Sequence, residues 1–196
     1  MQHDFHIEGA GFRLRPARLS DSEFILSLRT QPQLSQYLHP VSGRLEDQQA
    51  WMRTYFERPG DFYFVVERAD SEEAVGTIAL VDVEGPGGSA EWGRWILSPE
   101  SMAALPSALL IYRLGFESLQ LGRIYCNTVA ENAGVVSFHD SCGVERTATL
   151  PGHFDLGGRQ LDAIQHTIQR TDWPAVGTRL SAKAERLHKM LSRRSR

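Results

Sequence analysis

Cysteine is nearly missing from this 196-residue chain, which has only Cys126 and Cys142. Two are too few for a disulfide framework and lack metal-ligand spacing, so both read as small buried hydrophobes in a reducing cytoplasm. Long hydrophobic runs are also lacking: no window approaches the ~18 consecutive apolar residues of a membrane span. The opening Met1-Gln2-His3-Asp4-Phe5-His6 has no basic region followed by an apolar core, and does not read as a signal peptide. A dominant charge is absent as well. The net charge of −3 argues for neither a nucleic-acid binder nor a polyanionic tail. Repeats and low-complexity segments do not occur. One absence is local: no glycine lies between Gly93 and Gly115.

What is present is ordinary globular composition, 41% hydrophobic and 23% charged, enough for one domain with a short appendage. The charge is uneven, because seven Lys or Arg stand against one Glu from Arg179 onward. Phe12 to Arg15 alternates as a strand stopped by Pro16. Ser20 with Glu23 reads as a capping box opening a helix to about Arg29, which Pro32 ends. Leu34 to Gly43 is irregular, and a loop between two helices suits the lining of a site. A second helix spans roughly Leu45 to Arg58. Phe62, Phe64 and Val66 share one face of a strand, and Val75, Thr77, Ala79 and Val81 one face of the next.

The turn cluster Gly85-Pro86-Gly87-Gly88 leads into a strand ending at Leu97. A helix follows from Pro106 to about Gln120, apolar nearly all round, as expected of a helix covered on two sides. Arg123 to Val129 is the next strand, and a helix from Asn132 stops at Cys142-Gly143. Two further strands, about Val144–Leu150 and Leu161–Arg170, flank a loop containing Gly157-Gly158. Trp173-Pro174 closes the domain. After Gly177 an amphipathic helix carries Leu180, Ala184, Leu187 and Leu191 on one face and basic residues on the other. That basic face suits solvent, an anionic surface, or a partner subunit such as the second copy of a homodimer. Strands alternating with helices in the middle of the chain imply a parallel pair, with a ligand crevice beyond its carboxyl ends.

The run Asn132-Ala133-Gly134-Val135-Val136-Ser137-Phe138-His139-Asp140-Ser141-Cys142-Gly143 resembles the penultimate helix of the GNAT superfamily of N-acetyltransferases. Phe116 to Ile124 and the strand Glu91-Trp92-Gly93-Arg94-Trp95-Ile96 support it. Within the superfamily, Leu28-Arg29-Thr30-Gln31-Pro32 with Gln48-Gln49-Ala50-Trp51 resembles enzymes acting on nucleotide-linked amino sugars, of the pseudaminic-acid-pathway type. The resemblance implies an α/β fold, a single domain over residues 10–175 with a mixed, mostly antiparallel sheet and a central parallel strand pair. The C-terminal amphipathic helix would occupy 176–196. It also implies acetyl-CoA as acyl-donor substrate, a small-molecule amine as acceptor, and no nucleic acid or membrane span.

The same resemblance distributes roles. Backbone amides at Ile96 and Leu97 would polarise the thioester carbonyl. Where the superfamily has a glycine-rich phosphate turn, Met102, Ala103, Ala104 or Leu105 stands in place of glycine and Pro106 has no amide hydrogen; Ala103, Ala104, Leu105 and Ser107 would hold the coenzyme. Asn132 would cap its helix and bind the coenzyme. His139 stands where a tyrosine usually protonates the departing thiolate, and imidazole titrates nearer neutrality than phenol. Glu91, expected on one strand face with Gly93, Trp95 and Leu97, is the candidate base. Arg29, Tyr37, His39, Trp51 and Trp92 are candidates for the acceptor site, aromatic faces suiting a sugar ring and arginine a diphosphate. Two rival functions remain: acetylation of protein N-termini or ribosomal proteins, and a non-catalytic domain that engages a partner through its basic helix.

Overall fold

Alternation of apolar and arginine side chains over Phe12-Arg13-Leu14-Arg15 builds the first inner strand. In the computed structural model, which describes residues 2–194, β2 (Phe12–Pro16) pairs antiparallel with β1 (Ile7–Gly9), a short edge strand the sequence reading missed. Arg15 forms a bidentate pair with Asp21 at 2.8 Å, and Asp21 also accepts the Arg18 backbone N–H at 2.7 Å. That carboxylate caps a single tight turn, Leu19–Asp21, which leads into α1 (Ser22–Arg29) in place of the expected Ser20–Glu23 box. One turn of helix, α2 (Pro32–Ser35), and then α3 (Leu45–Phe56) follow.

The remaining strands are β3 (Phe62–Arg68), β4 (Ala74–Val81), β5 (Ser89–Leu97), β6 (Arg123–Val129), β7 (Glu145–Leu156) and β8 (Arg159–Gln169). Between them lie α4 (Ala104–Arg113), α5 (Ala133–Ser141) and, last, α6 (Trp173–Arg194). All described strands form one sheet in the order β1-β2-β3-β4-β5-β6-β8-β7. Its one parallel pair among the described residues is β5 with β6. The architecture is the mixed α/β sheet with a central parallel pair that the sequence resemblance implies.

Both sheet faces are covered, which follows from strands apolar on both sides such as β3, buried from Phe62 to Glu67. Phe62, Phe64 and Val66 pack with α4 and α6; Tyr63 and Val65 pack with Ile25 of α1 and Met52 and Tyr55 of α3. Val75 departs from its expected partners Thr77, Ala79 and Val81. An irregularity after Val66, where Glu67 pairs with Ala74, turns it to the α4 face.

The all-round apolar character of α4 is explained by its place between the sheet and α6, with Ser107 to Tyr112 entirely buried. Helix α6 starts at Trp173, not after Gly177. The Trp173 ring stacks on Phe116 at 5.3 Å, and a β-carbon on Gly177, one turn later, would fall 2.9 Å from that ring. Gly177 therefore makes room for a core tryptophan instead of marking a boundary. Leu180 and Ala184 are buried beside it, and Lys183 donates to the Ser141 carbonyl at 2.6 Å, at the negative end of α5. The β7–β8 strands also continue to the Gly157-Gly158 turn, both residues at positive φ, with a bulge between Leu150 and Phe154 where a loop was expected.

Where α4's continuation meets β6, the chain passes so close to the Gly85–Gly88 turn that a β-carbon on Gly122 would lie 2.3 Å from the Gly87 carbonyl oxygen. Backbone on both sides leaves little room to relax. Gly122→Ala is expected to cost roughly 1–3 kcal/mol, and each kcal/mol lowers Tm by about 2–4 °C in a domain of this size. Gly134→Ala, on open helix surface with no contact nearer than 4.0 Å, is expected to hold or raise Tm. Equal melting temperatures for the two variants by calorimetry would refute this packing.

Candidate active site

Strands β5 and β6 pair only at Ser89↔Arg123, Ala90↔Ile124 and Glu91↔Tyr125. Beyond Glu91 they diverge, and the cause lies in β5. Ala79 of β4 faces Gly93 and Thr77 faces Ile96, so Arg94 and Trp95 occupy the space of one residue. Arg94 sits at φ 50°, its carbonyl accepting the Thr77 hydroxyl at 2.9 Å. A bulge of this kind bends and twists its strand. It also corrects the expected alternation: Trp92, Trp95 and Leu97 pack with the α4 core, so Glu91 does not share a face with Trp95 and Leu97. Between the separated strands opens a cavity of about 810 Å³, walled by Glu91 to Leu97, Cys126 to Val129, Asn132, Val135, His139 and the loop carrying Tyr37 and His39.

On one side of this gap, the Ser98 amide donates to Val75 O at 2.8 Å. Antiparallel alternation then turns the Ile96 amide toward β4 and the Leu97 amide toward the gap. Asn132 caps α5, its side chain accepting from the Val135 amide at 3.4 Å. At the start of α4, Met102 takes the positive φ (57°) that a glycine would normally supply, its side chain half in solvent. The Ala103 amide is taken by Ser101 Oγ (3.3 Å), whereas those of Ala104 and Leu105 have no acceptor among the described residues. Pro106 stands in the first turn, where a missing N–H costs the helix nothing. Two open amides at a helix N-terminus suit a phosphate. Ser107 does not contribute: it is buried, accepting from Trp95 Nε1 and donating to the Ala104 carbonyl, each at 3.1 Å. It anchors Trp95 and is removed from the expected coenzyme contacts.

His139 lines the gap but is 2% exposed, edge-on to Trp92 and 3.4 Å from Cys126 Sγ. Burial, followed by the neighbouring His166, pulls its pKa down to about 3. The ring is therefore neutral at working pH, and the expected role as an imidazolium acid is corrected accordingly. Behind it, buried His166 bonds Asp140 at 3.1 Å. Burial likewise keeps Cys126 a thiol.

Glu91 accepts from Asn127 Nδ2 at 3.3 Å, and Asn127 in turn accepts from Gln165 at 3.1 Å. Burial raises its pKa above the ordinary value, opposed by the Asn127 hydrogen bond. A carboxylate with raised pKa at the apex of a cleft is suited to accepting a proton.

At the other end, Tyr37 donates to Glu131 O (3.1 Å) and Arg29 to His39 O (2.7 Å), fastening the 36–39 loop over the cavity. Trp51 is not part of this wall. It stacks on Tyr55 (4.8 Å) on the α3 side of the sheet and approaches the site only through Arg94, whose guanidinium lies 5.2 Å from Trp51 and 4.6 Å from Tyr55. Trp92 is a core residue with only an edge on the cavity. Sequence reasoning missed Arg94, Asn127, Phe154 and Leu156 as lining residues. The Gly93 next to Arg94, inside a strand, was the available signal of a bulge.

A family model described as an acetyltransferase (GNAT) domain matches residues 12–145. No curated protein matches the chain. Among solved structures, it is similar to FdhC, a nucleotide-linked sugar GNAT, at 28% identity and TM-score 0.73, over 88% of this chain and 94% of that one. A GCN5-related N-acetyltransferase from Brucella melitensis superposes with TM-score 0.82 at 18% identity, covering 93% and 86%. Spermidine N-acetyltransferase from Vibrio cholerae, solved with CoA and spermine, does so with TM-score 0.75 at 22% identity, covering 85% and 99%. The matched span takes in the diverging strands, the α4 N-terminus and the capped α5, and by it the chain belongs to the GNAT family of acetyltransferases and is an acyltransferase.

Proposed function

We propose that this protein transfers the acetyl group of acetyl-CoA to the primary amine of a nucleotide-linked amino sugar, in the cytoplasm. The reading is carried by the gap that opens directly after Glu91↔Tyr125, with a proton acceptor at its apex and open amides along its donor side. The acyl donor would lie between the strands, its phosphates toward the amides of Ala104 and Leu105 and its carbonyl toward the amide of Leu97. The amine, entering from the Tyr37–His39 side, attacks the carbonyl carbon, and the Leu97 N–H stabilises the oxyanion. Glu91 takes the ammonium proton, directly or through one water. Collapse of the tetrahedral species forms the amide and breaks the C–S bond. A thiol is acidic enough to leave as thiolate, so a neutral His139 does not impede the reaction.

The acceptor class is supported by a cavity of about 810 Å³, within the ~300–1,000 Å³ usual for small-molecule sites, and by the roof that the Tyr37–Glu131 bond holds over it. A protein N-terminus would need an open groove. The binding-module alternative keeps only the basic face of α6, because its apolar face is covered by α4.

Calorimetry is expected to give micromolar affinity for acetyl-CoA, about −8 kcal/mol; no heat at high micromolar concentration would return the chain to the non-catalytic reading. Glu91→Gln keeps the shape and the Asn127 contact but removes the base. Its kcat is expected to fall roughly 10²–10⁴-fold with CoA affinity unchanged. In the wild type, activity should fall with acid through a pKa above 4.5, because protonating Glu91 removes the acceptor, and no limb should belong to His139 near 6.5. An unchanged kcat in Glu91→Gln would eliminate the base.

A further inference from the structure

We propose that Arg29 and Arg94 together form an anion subsite at the acceptor end of the cavity, which grips the diphosphate of the acceptor. This rests on the acetyltransferase reading above and names the group that selects its substrate. Both residues line the same cavity. Each has a buried Nε without a hydrogen-bond partner. Among the described residues neither is within ion-pair distance of any carboxylate. The cavity's own carboxylate, Glu91, is engaged by Asn127 instead.

Two cations are thereby drawn together out of water with no counter-charge, an arrangement that costs free energy until an anion enters. The fold spends structure to keep it. Arg94 is held at positive φ by the bulge and backed by the faces of Tyr55 and Trp51, while Arg29 is pinned through Nη2 to the His39 carbonyl. Aromatic backing offsets part of the desolvation and fixes the plane of the guanidinium. Arg94 also bonds the Tyr55 hydroxyl, and the Nη donors left over can fork onto phosphate oxygens. The same pair would repel a polyamine, so the subsite separates this acceptor pocket from one built for spermidine.

The test is titration calorimetry of the CoA-saturated protein with UDP, which carries the diphosphate without the amine. UDP is expected to bind the wild type, and Arg94→Gln or Arg29→Gln to weaken it about tenfold or more. CoA affinity should stay within about twofold, which also reports that the variants are folded. Should Arg94→Gln lose CoA binding through misfolding, Arg29→Gln, which leaves the bulge residue itself in place, decides. UDP failing to bind the CoA-loaded wild type, binding the glutamine variants equally well, or being outcompeted by spermidine would each overturn the subsite while leaving acetyl transfer standing. Failure of the wild type to bind CoA would overturn the acetyltransferase reading itself, and the subsite with it.

Discussion

Between Gly93 and Ile96 the backbone of β5 carries one residue more than the β4 segment opposite it, and the excess is absorbed by Arg94 in a left-handed conformation. Because β4 keeps its pairing on both sides of the bulge, the distortion appears on the other edge, where β5 leaves β6 after three paired residues. A strand edge without a partner would be a liability in a sheet interior. Here the unpaired groups become the wall of a cavity, available to a substrate that brings its own hydrogen-bonding atoms. The Thr77 hydroxyl, donating to the Arg94 carbonyl, holds the distorted residue in place.

The two helical layers hold this opening from either side. Behind β5, α4 is trapped between sheet and α6, and Ser107 fastens Trp95 to it, so the divergent strand has rigid backing. On the opposite face, α3 supplies the aromatic pair that supports Arg94, and α1 ends at Arg29. One bulge thus shapes the cavity from both faces of the sheet. Charge inside the cleft is unbalanced in a directed way, with two arginines toward the loop and a carboxylate of raised pKa at the apex. The imidazole between the cleft and the core is kept neutral by its burial.

Several site residues were legible from spacing or resemblance because their roles depend on local backbone. Asn132 caps its helix whatever surrounds it, Arg29 closes α1, and Tyr37 and His39 fall on a loop that had to line something. His139 lines the cavity, yet its titration could not be inferred, because the pKa depends on its burial against Trp92 and on His166, brought in from two other strands. Ser107 and Trp51 failed as site residues for a related reason. Position along a helix does not tell whether a side chain points to a ligand or to a strand, and in both cases a strand claimed it.

The amino-acid sequence by itself determined the element order apart from the short β1 and α2, the apolar helix that needed covering on two sides, and the parallel pair at the centre, since these follow from periodicity, turn residues and helix caps acting over a few neighbours. Only the tertiary structure decided where pairing between β5 and β6 ends, that Gly177 lies inside a helix, and that Arg29 and Arg94 share one cavity without a counter-charge. Those outcomes depend on which surfaces meet across the sheet, and close packing between segments far apart in the chain settles them after local preferences are already satisfied.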